Sequence, residues 1–364
     1  MKAVFRADAS VVIGSGHLMR CLTLAKMLRK NGASVTFVTR DLGGDFSSLV
    51  ENENFPLIQL PVPKEGIVTA KEHEQWLGVE WQMDAEDTIA SLQNVGSVDW
   101  LIVDHYGIDN RWERFIRPFV SKIMVIDDLA DRLHDCDLLL DQNYYDNMHT
   151  RYDGLVAPSC QMLLGPQYAL LREEFTGMVK KGRIRDGEVK RILVFFGGSD
   201  PTNETMKTLE ALRSLTLSEI VTDVVVGVGN PAKEQVKQFC SEMPNTNYHC
   251  QIENMAELMM LADLSIGAGG STTWERCYLG LPTIIIMTAS NQVETTKALA
   301  KNQIVWNLGF HSDVTVEEVR NALREVLKHT EKVRELSFKA KKFLERERND
   351  DLIRTLLGVN DGDS

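Results

Sequence analysis

The sequence predicts an α/β protein with two Rossmann-like domains, each built on a parallel β-sheet. The length of 364 residues is about twice what one α/β domain usually needs. The chain is 43% hydrophobic and 25% charged, which is typical of a globular protein and argues against a disordered or fibrous one. Short β-branched runs alternate with helix-period segments along most of the chain, and this favours parallel sheets built from strand–helix–strand units.

In the first half, five short apolar runs are predicted to be strands. The segment after the first run, Leu18–Lys30, has apolar residues along one helical face and ends at Asn31-Gly32, a common helix stop. The five predicted strands are Lys2–Asp8, Ser34–Arg40, Phe55–Pro61, Asp99–Tyr106 and Lys122–Asp128.

The second half repeats this alternation, so we expect one sheet per half. Open α/β sheets bind ligands at the carboxyl ends of their strands, which predicts two domains facing each other across a ligand-binding cleft. The predicted strands are Arg191–Phe196, Asp223–Gly227, Asn247–Ile252, Leu264–Gly267 and Thr283–Met287.

The join between the domains is predicted in Arg172–Lys190, which is rich in charge and glycine and poor in core residues. The pattern from Thr315 to Leu357 is strongly helical, and the polar end Gly358–Ser364 is predicted to fray. The expected divisions are an N-terminal domain at 1–171, a linker at 172–190, a C-terminal domain at 191–330, and a C-terminal helix and tail at 331–364.

The chain has 40 Lys and Arg against 52 Asp and Glu, a net charge of −12. Nucleic acids and anionic membranes attract Lys/Arg patches, so neither is an expected partner, whereas a small anion can still bind backbone amides.

The longest apolar stretches, such as Pro282–Met287, are far shorter than the roughly 20 residues that span a membrane, so no membrane insertion is expected. Lys2, Arg6 and Asp8 interrupt the amino-terminal run, which argues against a signal peptide and favours a cytoplasmic protein.

The cysteines are scattered and form no CxxC pair. We therefore expect reduced thiols that pack as small apolar groups in the core, and no structural zinc. They are Cys21, Cys136, Cys160, Cys240, Cys250 and Cys277.

A glycine turn follows the first predicted strand. Gly14 and Gly16 precede a helix and let the backbone approach a ligand closely. Met19 stands where the dinucleotide fingerprint requires its third glycine, and the second strand ends in Thr39-Arg40 without a ribose-binding acid. The chain also has no Gly-Lys-Ser/Thr motif. The sequence therefore predicts neither a nicotinamide cofactor nor a P-loop ATP site.

His17 lies in the first turn of the helix that follows this loop. A helix amino terminus disfavours positive charge, so we expect a neutral imidazole that can act as a general base. Asp8, across the same loop, is predicted to orient the ring. The alternative is a histidine that caps the helix or fills the loop.

Two further motifs follow predicted strands. Asp104, His105 and Tyr106 end the fourth strand at the edge where ligands bind, and we expect one or two of them to touch substrate. Asp135-Cys136-Asp137 has the DxD spacing of a metal motif, but it runs directly into an apolar segment. Because such spacing is common by chance, we interpret it as structural and predict no metal site.

Two glycine loops in the second half are predicted to bind a nucleotide diphosphate. The first predicted strand of this half ends in Gly197-Gly198-Ser199-Asp200-Pro201, and Leu264–Gly267 ends in Ala268-Gly269-Gly270-Ser271-Thr272-Thr273. Each loop is expected to present backbone amides and hydroxyls at a helix amino terminus, without a lysine. Glu275, one turn into the second helix, is placed to accept hydrogen bonds from a ribose diol.

These motifs resemble those of known families. The second half resembles the nucleotide-binding domain of GT-B glycosyltransferases, most of all that of the peptidoglycan N-acetylglucosaminyltransferase. The opening segments Arg6–Ser10 and Gly14–Leu22 are more specific, and resemble the UDP-2,4-diacetamido-2,4,6-trideoxy-β-L-altropyranose hydrolases of pseudaminic acid biosynthesis, the PseG family. The resemblance spans nearly the whole chain up to about Lys328, and its other motifs are Asp104-His105-Tyr106, Leu140–Asn143, Leu164–Arg172 and Asn291-Gln292.

The resemblance implies a GT-B fold and an inverting UDP-sugar hydrolase, in which water replaces the acceptor sugar and no cofactor or metal takes part. The implied products are UDP and free 2,4-diacetamido-2,4,6-trideoxy-L-altrose. The family pattern makes His17 the base that activates water, with Tyr106 and Asn291 at the reacting end of the substrate. Further substrate contacts are expected at Asp8, Gly14, Gly16, Arg20 and Arg172. GT-B practice implies UDP contacts at Gly198, Ser199, Ile252 (through its backbone, to uracil), Gly270, Ser271, Thr272 and Glu275.

Two other functions stay open. The first is a GT-B transferase that passes a UDP-sugar to a glycan or lipid, with Trp112–Phe119 as its membrane-facing patch, although that segment is more typical of a helix packed on the sheet. The second is a non-catalytic nucleotide-sugar sensor, which needs the glycine loops but no poised histidine. The candidates for the sugar pocket are Trp76, Trp81 and Arg151, and the sequence predicts no particular oligomeric state.

Overall fold

The structure, a computed structural model, describes residues 1–10, 12–44, 46–63, 72–179, 183–215, 217, 219–345 and 348–359. The chain divides into two compact units. The first comprises Met1–Asn143, Asn147–Leu170 and Arg348–Ser364, and the second comprises Tyr144–Asp146 and Leu171–Glu347. Residues 180–182 of the predicted linker and 360–364 of the predicted frayed end lie outside the described residues.

The first unit is built on a parallel sheet. Its strands are β1 (Lys2–Ala7), β2 (Ser34–Arg40), β3 (Leu57–Leu60), β4 (Trp100–Asp104), β5 (Lys122–Ile126), β6 (Leu138–Asp141) and β7 (Gln161–Leu164). They lie in the order β3-β2-β1-β4-β5-β6-β7, and each described pair is parallel. The helices before residue 120 are α1 (Gly16–Lys30), α2 (Ser47–Glu51), α3 (Trp81–Val95) and α4 (Asn110–Ile116).

Neighbouring residues of β1 show how this sheet is covered on both faces. Val4 and Phe5 are both fully buried, and they pack in different apolar clusters because successive side chains of a strand point to opposite faces. Phe5 shares its cluster with Leu24 of α1, and Val4 shares its cluster with Trp112 of α4. A strand buried on both faces has a continuous apolar sequence, which is why these strands are recognisable in the sequence.

The second unit is built on a second parallel sheet. Its strands are β8 (Arg191–Phe195), β9 (Val221–Val226), β10 (Thr246–Cys250), β11 (Leu264–Gly267), β12 (Thr283–Met287) and β13 (Trp306–Phe310). They lie in the order β10-β9-β8-β11-β12-β13, again with parallel pairing. The helices are α5 (Glu173–Val179), α6 (Glu204–Arg213), α7 (Lys233–Ser241), α8 (Met255–Leu261), α9 (Thr272–Tyr278), α10 (Val293–Lys301), α11 (Val316–Lys328) and α12 (Thr330–Phe343).

The predicted fold class is confirmed, and each predicted strand overlaps a strand of the structure. Three strands were not predicted: β6, β7 and β13. The first two have only four residues each, and a short apolar run cannot be assigned to strand or helix by periodicity. Strand β13 contains Gly309 and is only half-buried along its length, so it lacks the continuous apolar signal.

The end of the chain differs from the predicted division at 331–364. The last described helix, α13 (Asn349–Leu357), belongs to the first unit, whereas α12 belongs to the second. Leu352, Ile353 and Leu356 of α13 are buried in the same apolar cluster as Phe5. The indole N–H of Trp100 donates to the Leu356 carbonyl at 2.9 Å. The apolar face of α13 explains this packing, because it needs a partner and finds one on the first sheet.

Leu352→Ala tests the packing of α13. The leucine side chain is fully buried, so its loss is expected to lower the free energy of unfolding by about 2–5 kcal/mol through lost transfer energy and a residual cavity. Urea unfolding followed by circular dichroism measures the change. Asp350→Ala, on the exposed face of the helix, is the control and is expected to cost less than about 1 kcal/mol. Equal effects of the two substitutions would contradict the packing.

Candidate active site

Each sheet reverses its strand order once, and the candidate residues lie at the two reversal points. In the first sheet β1 lies between β2 and β4, so the loops after β1 and β4 meet at the carboxyl edge. In the second sheet β8 lies between β9 and β11, so the two glycine loops are neighbours. Open parallel sheets bind ligands at such points.

His17 of α1 and Asp104 of β4 meet at the first reversal point. Nδ1 of His17 lies 2.5 Å from Oδ1 of Asp104. Because a carboxylate accepts, Nδ1 carries the hydrogen and donates it, which leaves the lone pair on Nε2. Nε2 has no hydrogen-bond partner among the residues that the structure describes. An imidazole fixed by a carboxylate, with its second nitrogen available, has the arrangement of a general base.

Asp104 is held in its ionised form. Burial by itself would raise the pKa of Asp104, but the charges and hydrogen bonds of Arg20 and His17 outweigh burial and hold that pKa well below its usual range. Arg20 donates to both carboxylate oxygens of Asp104, through Nε at 2.5 Å and Nη2 at 2.7 Å. Its Nη1 donates to Asp128 at 3.2 Å. Arg20, predicted to contact substrate, thus binds two carboxylates of its own unit.

Aromatic rings pack around His17. The ring of Tyr106 lies edge-on to the imidazole, with the centroids 4.5 Å apart, and its hydroxyl donates to Asp128. Trp76 stacks on Tyr106 at 5.4 Å and lies 6.1 Å from the imidazole. His73 packs against Trp76 at 4.8 Å. These rings restrict the motion of the imidazole and form an apolar wall beside it.

The three candidates for the sugar pocket therefore separate. Trp76 alone contacts His17. Trp81 packs against Phe115 instead. Arg151 donates to the Asp141 carboxylate at 2.8 Å and to the backbone around residue 128. Trp76 is therefore the sugar-pocket candidate whose ring contacts the candidate base.

The prediction that Asp8 orients His17 is wrong. Asp8 is fully buried and accepts hydrogen bonds from the Arg6 guanidinium at 2.5 Å and from the Arg40 backbone N–H at 2.7 Å. Asp8 follows β1 and Asp104 is the last residue of the neighbouring β4, so both lie at the carboxyl edge of the sheet. Sequence spacing does not decide which of the two carboxylates faces the helix.

His105 completes this buried network. Its Nδ1 accepts from the Gly107 N–H at 3.0 Å, which places the ring hydrogen on Nε2, 3.3 Å from Oδ2 of Asp8. Burial lowers the pKa of His105, and the pair with Asp8 offsets this only in part. His105 is therefore a structural residue of the first unit, whereas Asp104 and Tyr106 contact the candidate base.

Gly14 and Gly16 lie in the loop that carries His17. The Gly14 N–H donates to the Ser10 carbonyl at 2.8 Å, so the loop turns back on itself before the helix. Gly16 is the first residue of α1. The glycine turn thus fixes where α1 begins and places His17 in its first turn, as the sequence predicts.

Asp141, at the end of β6, is a second unusual carboxyl group beside Asp128. Burial, reinforced by the negative charge of Asp128, raises the pKa of Asp141 to about 8. The Tyr152 hydroxyl and Arg151 both lie within hydrogen-bond distance of its Oδ2, and the backbone N–H of Asn143 donates to its Oδ1. A carboxyl group that keeps its proton near neutral pH limits the negative charge gathered around Asp128.

In the second unit, the helix that follows the loop after β8 does not have the free amino terminus that was expected for phosphate binding. Helix α6 begins at Glu204, and the carboxylate of Asp200 accepts the backbone N–H groups of Glu204 at 3.0 Å and Thr205 at 2.9 Å. The expectation of a free helix amino terminus here is wrong because Asp200 occupies it.

The predicted contacts Gly198 and Ser199 lie just before Asp200. In the described part of the chain, no acceptor is found for the backbone N–H groups of Gly197, Gly198 and Ser199. Gly227 approaches this loop closely: a Cβ there would lie 2.2 Å from the Gly198 carbonyl oxygen, so only glycine fits. The loop is positioned by its neighbour and keeps its amides available.

The loop after β11 presents the second set of amides. Among the described residues, the backbone N–H groups of Gly270, Ser271 and Thr272 have no acceptor. The Gly269 N–H donates to Oε1 of Gln292 at 3.1 Å, and this oxygen also accepts from the Thr288 N–H at 3.0 Å. Gln292 therefore connects the loop after β11 to the loop after β12, a role that the Asn291-Gln292 motif does not indicate from the sequence.

Glu275 and Arg172, predicted to contact ribose and substrate respectively, bind each other within the second unit. The Arg172 guanidinium donates to the two oxygens of Glu275 at 2.9 and 3.2 Å and also pairs with Glu174 at 2.6 Å. Each Glu275 oxygen keeps a lone pair after accepting one of these bonds. Arg172 thus orients the Glu275 carboxylate and leaves each of its oxygens able to accept another hydrogen bond.

Ile252 and Asn291 lie in loops at the carboxyl edge of the second sheet. Ile252 follows β10, and its backbone N–H and C=O form no hydrogen bonds with the described residues. Asn291 is exposed on the short Ser290–Gln292 turn that precedes α10. Both positions are compatible with ligand contact.

The DxD segment is held by an arginine. Arg117 donates to Asp135 at 2.7 Å and to Asp137 at 2.9 Å. No cluster of His, Cys, Asp and Glu side chains suited to a metal ion occurs among the described residues.

The six cysteines are free thiols, and five of them are buried as expected, but Cys250 is exposed. None of the described helices is both long and apolar enough to cross a membrane.

Comparison with known proteins identifies the second sheet first. Residues 192–353 match the glycosyltransferase family 28 C-terminal domain. This match contains β9 to β13, all but the first residue of β8, and both glycine loops. The predicted resemblance to the PseG family is also confirmed. The chain is 29% identical over 305 residues to the UDP-2,4-diacetamido-2,4,6-trideoxy-β-L-altropyranose hydrolase of Campylobacter jejuni, covering 83% of this chain and 97% of that one.

Two other relatives have names that state no particular reaction. The chain is 29% identical over 293 residues to the protein MJ1062 of Methanocaldococcus jannaschii, covering 79% of this chain but only 55% of that protein's length. It is 23% identical over 307 residues to the spore coat polysaccharide biosynthesis protein SpsG of Bacillus subtilis, covering 84% of this chain and 82% of that one.

Solved structures show the GT-B fold. MurG of Acinetobacter baumannii superposes with a TM-score of 0.67 at 14% identity, covering 98% of this chain and 100% of that one. The UDP-GlcNAc 2-epimerase of Neisseria meningitidis superposes with a TM-score of 0.63 at 13% identity, with the same coverage of both chains. At these identities the superpositions establish architecture and leave the chemistry to the site residues.

Asp141→Asn tests the electrostatics around Asp128. The pKa of Asp141 is raised from 3.8 to about 8 in the folded chain, so between these values the folded state holds a proton that the unfolded state releases. Relative to Asp141→Asn, the wild type is expected to lose stability as pH rises through this window, by up to about 1.4 kcal/mol per pH unit. Urea unfolding at pH 5, 6, 7 and 8 measures the difference. A difference that is constant with pH would contradict the raised pKa.

Proposed function

We propose that the protein hydrolyses a UDP-linked 2,4-diacetamido-2,4,6-trideoxyhexose, UDP-6-deoxy-AltdiNAc, to UDP and the free sugar with inversion at C1. The observation that carries this proposal is the His17–Asp104 pair, in which a buried carboxylate fixes the imidazole and leaves Nε2 without a partner among the described residues. The 29% identity to the Campylobacter jejuni hydrolase over nearly its whole length supports the same reaction.

In the proposed reaction, Nε2 of His17 accepts a proton from water while the water oxygen forms a bond to C1 of the sugar. The bond from C1 to the β-phosphate oxygen breaks, and its electron pair leaves with UDP. Asp104 stabilises the imidazolium that forms, as carboxylates paired with catalytic histidines do. General-base catalysis of this kind contributes roughly 10²–10⁴ in rate.

The second unit is proposed to hold the leaving group. The backbone amides of Gly198, Ser199, Gly270, Ser271 and Thr272 are assigned to the diphosphate, because consecutive N–H groups without acceptors suit phosphate oxygens. The backbone of Ile252 is assigned to uracil and the Glu275 carboxylate to the ribose diol. Donors fixed before the reaction stabilise developing charge at little cost in reorganisation, which fits metal-independent cleavage.

The remaining site residues are assigned to the sugar. Tyr106 and Asn291 are proposed to contact its reacting end, and Gly14 and Gly16 to let it approach the loop before α1. The apolar wall of Trp76 beside His17 suits a 6-deoxy sugar with acetamido groups. Asp8, Arg20 and Arg172, which bind partners within their own units, are proposed to act on the substrate by positioning the groups around it.

We place this activity in the biosynthesis of pseudaminic acid or a related acidic sugar, in the cytoplasm, with flagellin or a surface polysaccharide as the final acceptor. The names of the Campylobacter and Bacillus relatives, a UDP-sugar hydrolase and a polysaccharide biosynthesis protein, support this placement.

A GT-B transferase is the second candidate, and one cavity favours it. A cavity of about 370 Å³ lies at the carboxyl ends of β2 and β3, lined by Leu18, Phe46, Gln59 and the segment from Thr39 to Gly44. Leu18, the residue after His17, lines the cavity, whereas His17 does not. The size of the cavity suits a small acceptor. A transferase requires such an acceptor for UDP release, whereas a hydrolase does not.

The deciding experiment incubates the purified protein with a panel of UDP-linked diacetamido sugars and follows the anomeric proton signal by NMR. We expect UDP and an inverted free sugar to appear without an acceptor. Strict dependence on an added glycan or lipid would favour the transferase. Tight binding without UDP release over hours would favour a sensor.

His17→Ala tests the proposed base. Turnover is expected to fall by about 10²–10⁴-fold, because the general base is lost, while the affinity for UDP is unchanged. Asp104→Asn, which keeps the shape but removes the charge, is expected to lower kcat with little change in KM. Initial rates of UDP release and calorimetric UDP binding measure the two effects. Near wild-type turnover of His17→Ala would show that another group activates water.

A further inference from the structure

Arg276 of α9 is a buried guanidinium that is only partly satisfied. The residue is 1% exposed. Its Nη2 donates to the Ala268 carbonyl at 2.5 Å and to the Thr273 hydroxyl at 3.0 Å. Nε and Nη1 are buried and have no hydrogen-bond partner among the residues that the structure describes. Within the described residues, no Asp or Glu oxygen lies at ion-pairing distance from it.

Among the buried arginines that the structure describes, Arg276 is unusual, because the guanidinium nitrogens of the others all have hydrogen-bond partners. Arg185 of the same unit donates to five backbone carbonyls around α8 and α9. Arg6 and Arg20 of the first unit each bind two carboxylates. A buried charge without a counter-charge is costly, and burial lowers the pKa of Arg276 to about 10.

The guanidinium lies at the reversal point of the second sheet. A Cβ at Gly267, the last residue of β11, would come within 2.4 Å of Nη1 of Arg276 and 2.3 Å of the Phe195 carbonyl oxygen. Glycine at position 267 therefore leaves the room that the guanidinium occupies between the ends of β8 and β11. Arg276 sits behind the loop Ala268–Thr272, whose last three N–H groups have no acceptor in the described part of the chain.

We propose that Arg276 is the buried counter-charge for the diphosphate of the bound nucleotide. It is a positioning residue: it fixes the Ala268 carbonyl, and with it the following amides, and adds a positive field behind them. This inference rests on the proposed function, because it takes the loop Ala268–Thr272 as the diphosphate site. It explains how a chain of net charge −12 binds a polyanion through glycine loops without a lysine.

The proposal predicts a graded effect on ligands. A charge at the back of the loop interacts with the phosphates and not with the base or ribose. Arg276→Gln, which keeps a donor for Ala268 but removes the charge, is expected to weaken UDP binding by about 10–100-fold and UMP binding by less. Uridine binding is expected to change by less than about twofold.

Isothermal titration calorimetry with uridine, UMP and UDP tests this gradation. Arg276→Lys retains the charge and is expected to recover most of the UDP affinity. Thr273→Val, the control, removes one neutral hydrogen bond to Arg276 and is expected to leave the UDP affinity within about threefold. Equal losses for UDP and uridine, or equal losses in the Gln and Lys variants, would overturn the proposal.

A second measurement on the wild type keeps the proposal testable if Arg276→Gln does not fold. In protein with ¹⁵N-labelled arginine, the Arg276 Nε signal, assigned by its absence from Arg276→Lys, is expected to shift with UDP and not with uridine. An unchanged signal at saturating UDP would overturn the inference. Absence of any UDP binding by the wild type would instead refute the proposed function.

Discussion

The carboxylate of Asp104 is the group on which the proposed chemistry of the first unit depends. It accepts hydrogen bonds from His17 and Arg20, which lie one turn apart on α1, so it fixes the helix and the imidazole together. The carboxylate lies at the end of β4, next to β1, because the strand order reverses there. The sheet topology thus determines which side chain orients the proposed base, and the aromatic rings of Tyr106 and Trp76 limit where the imidazole can turn.

The buried arginines of the first unit's strand ends and Arg276 of the second unit differ in their counter-charges. In the first unit, Arg6, Asp8, Asp84 and Arg40 form a buried network in which each charge meets an opposite one. Such a network favours one arrangement of the strand ends, because breaking any pair leaves an uncompensated charge. In the second unit, Arg276 has no carboxylate within ion-pairing distance among the described residues. The buried arginines of this first-unit network thus have their counter-charges, whereas Nε and Nη1 of Arg276 are donors that an anion would satisfy.

Most of the architecture could be predicted from the sequence, because doubly covered parallel strands have continuous apolar sequences. What the sequence could not supply is which loops become neighbours. Asp8 and Asp104 are equivalent in sequence, and only the pairing of β1 with β4 places Asp104 against His17. Asp200 lies in a predicted phosphate loop, but its left-handed backbone (φ 41°) and the hydrogen bonds that it accepts from α6 make it a cap of that helix. The return of α13 to the first unit depends on long-range packing, which local patterns do not encode.

The most direct test of the proposed attack of water at C1 is hydrolysis of the UDP-sugar in water enriched in ¹⁸O, followed by ³¹P NMR of the released UDP. If water that gives a proton to Nε2 of His17 attacks C1, the bond between C1 and the bridging oxygen breaks, so the β-phosphate of UDP is predicted to carry no ¹⁸O. An ¹⁸O-induced shift of the β-phosphate signal would show attack at phosphorus, and the role given to His17 and Asp104 would then be wrong.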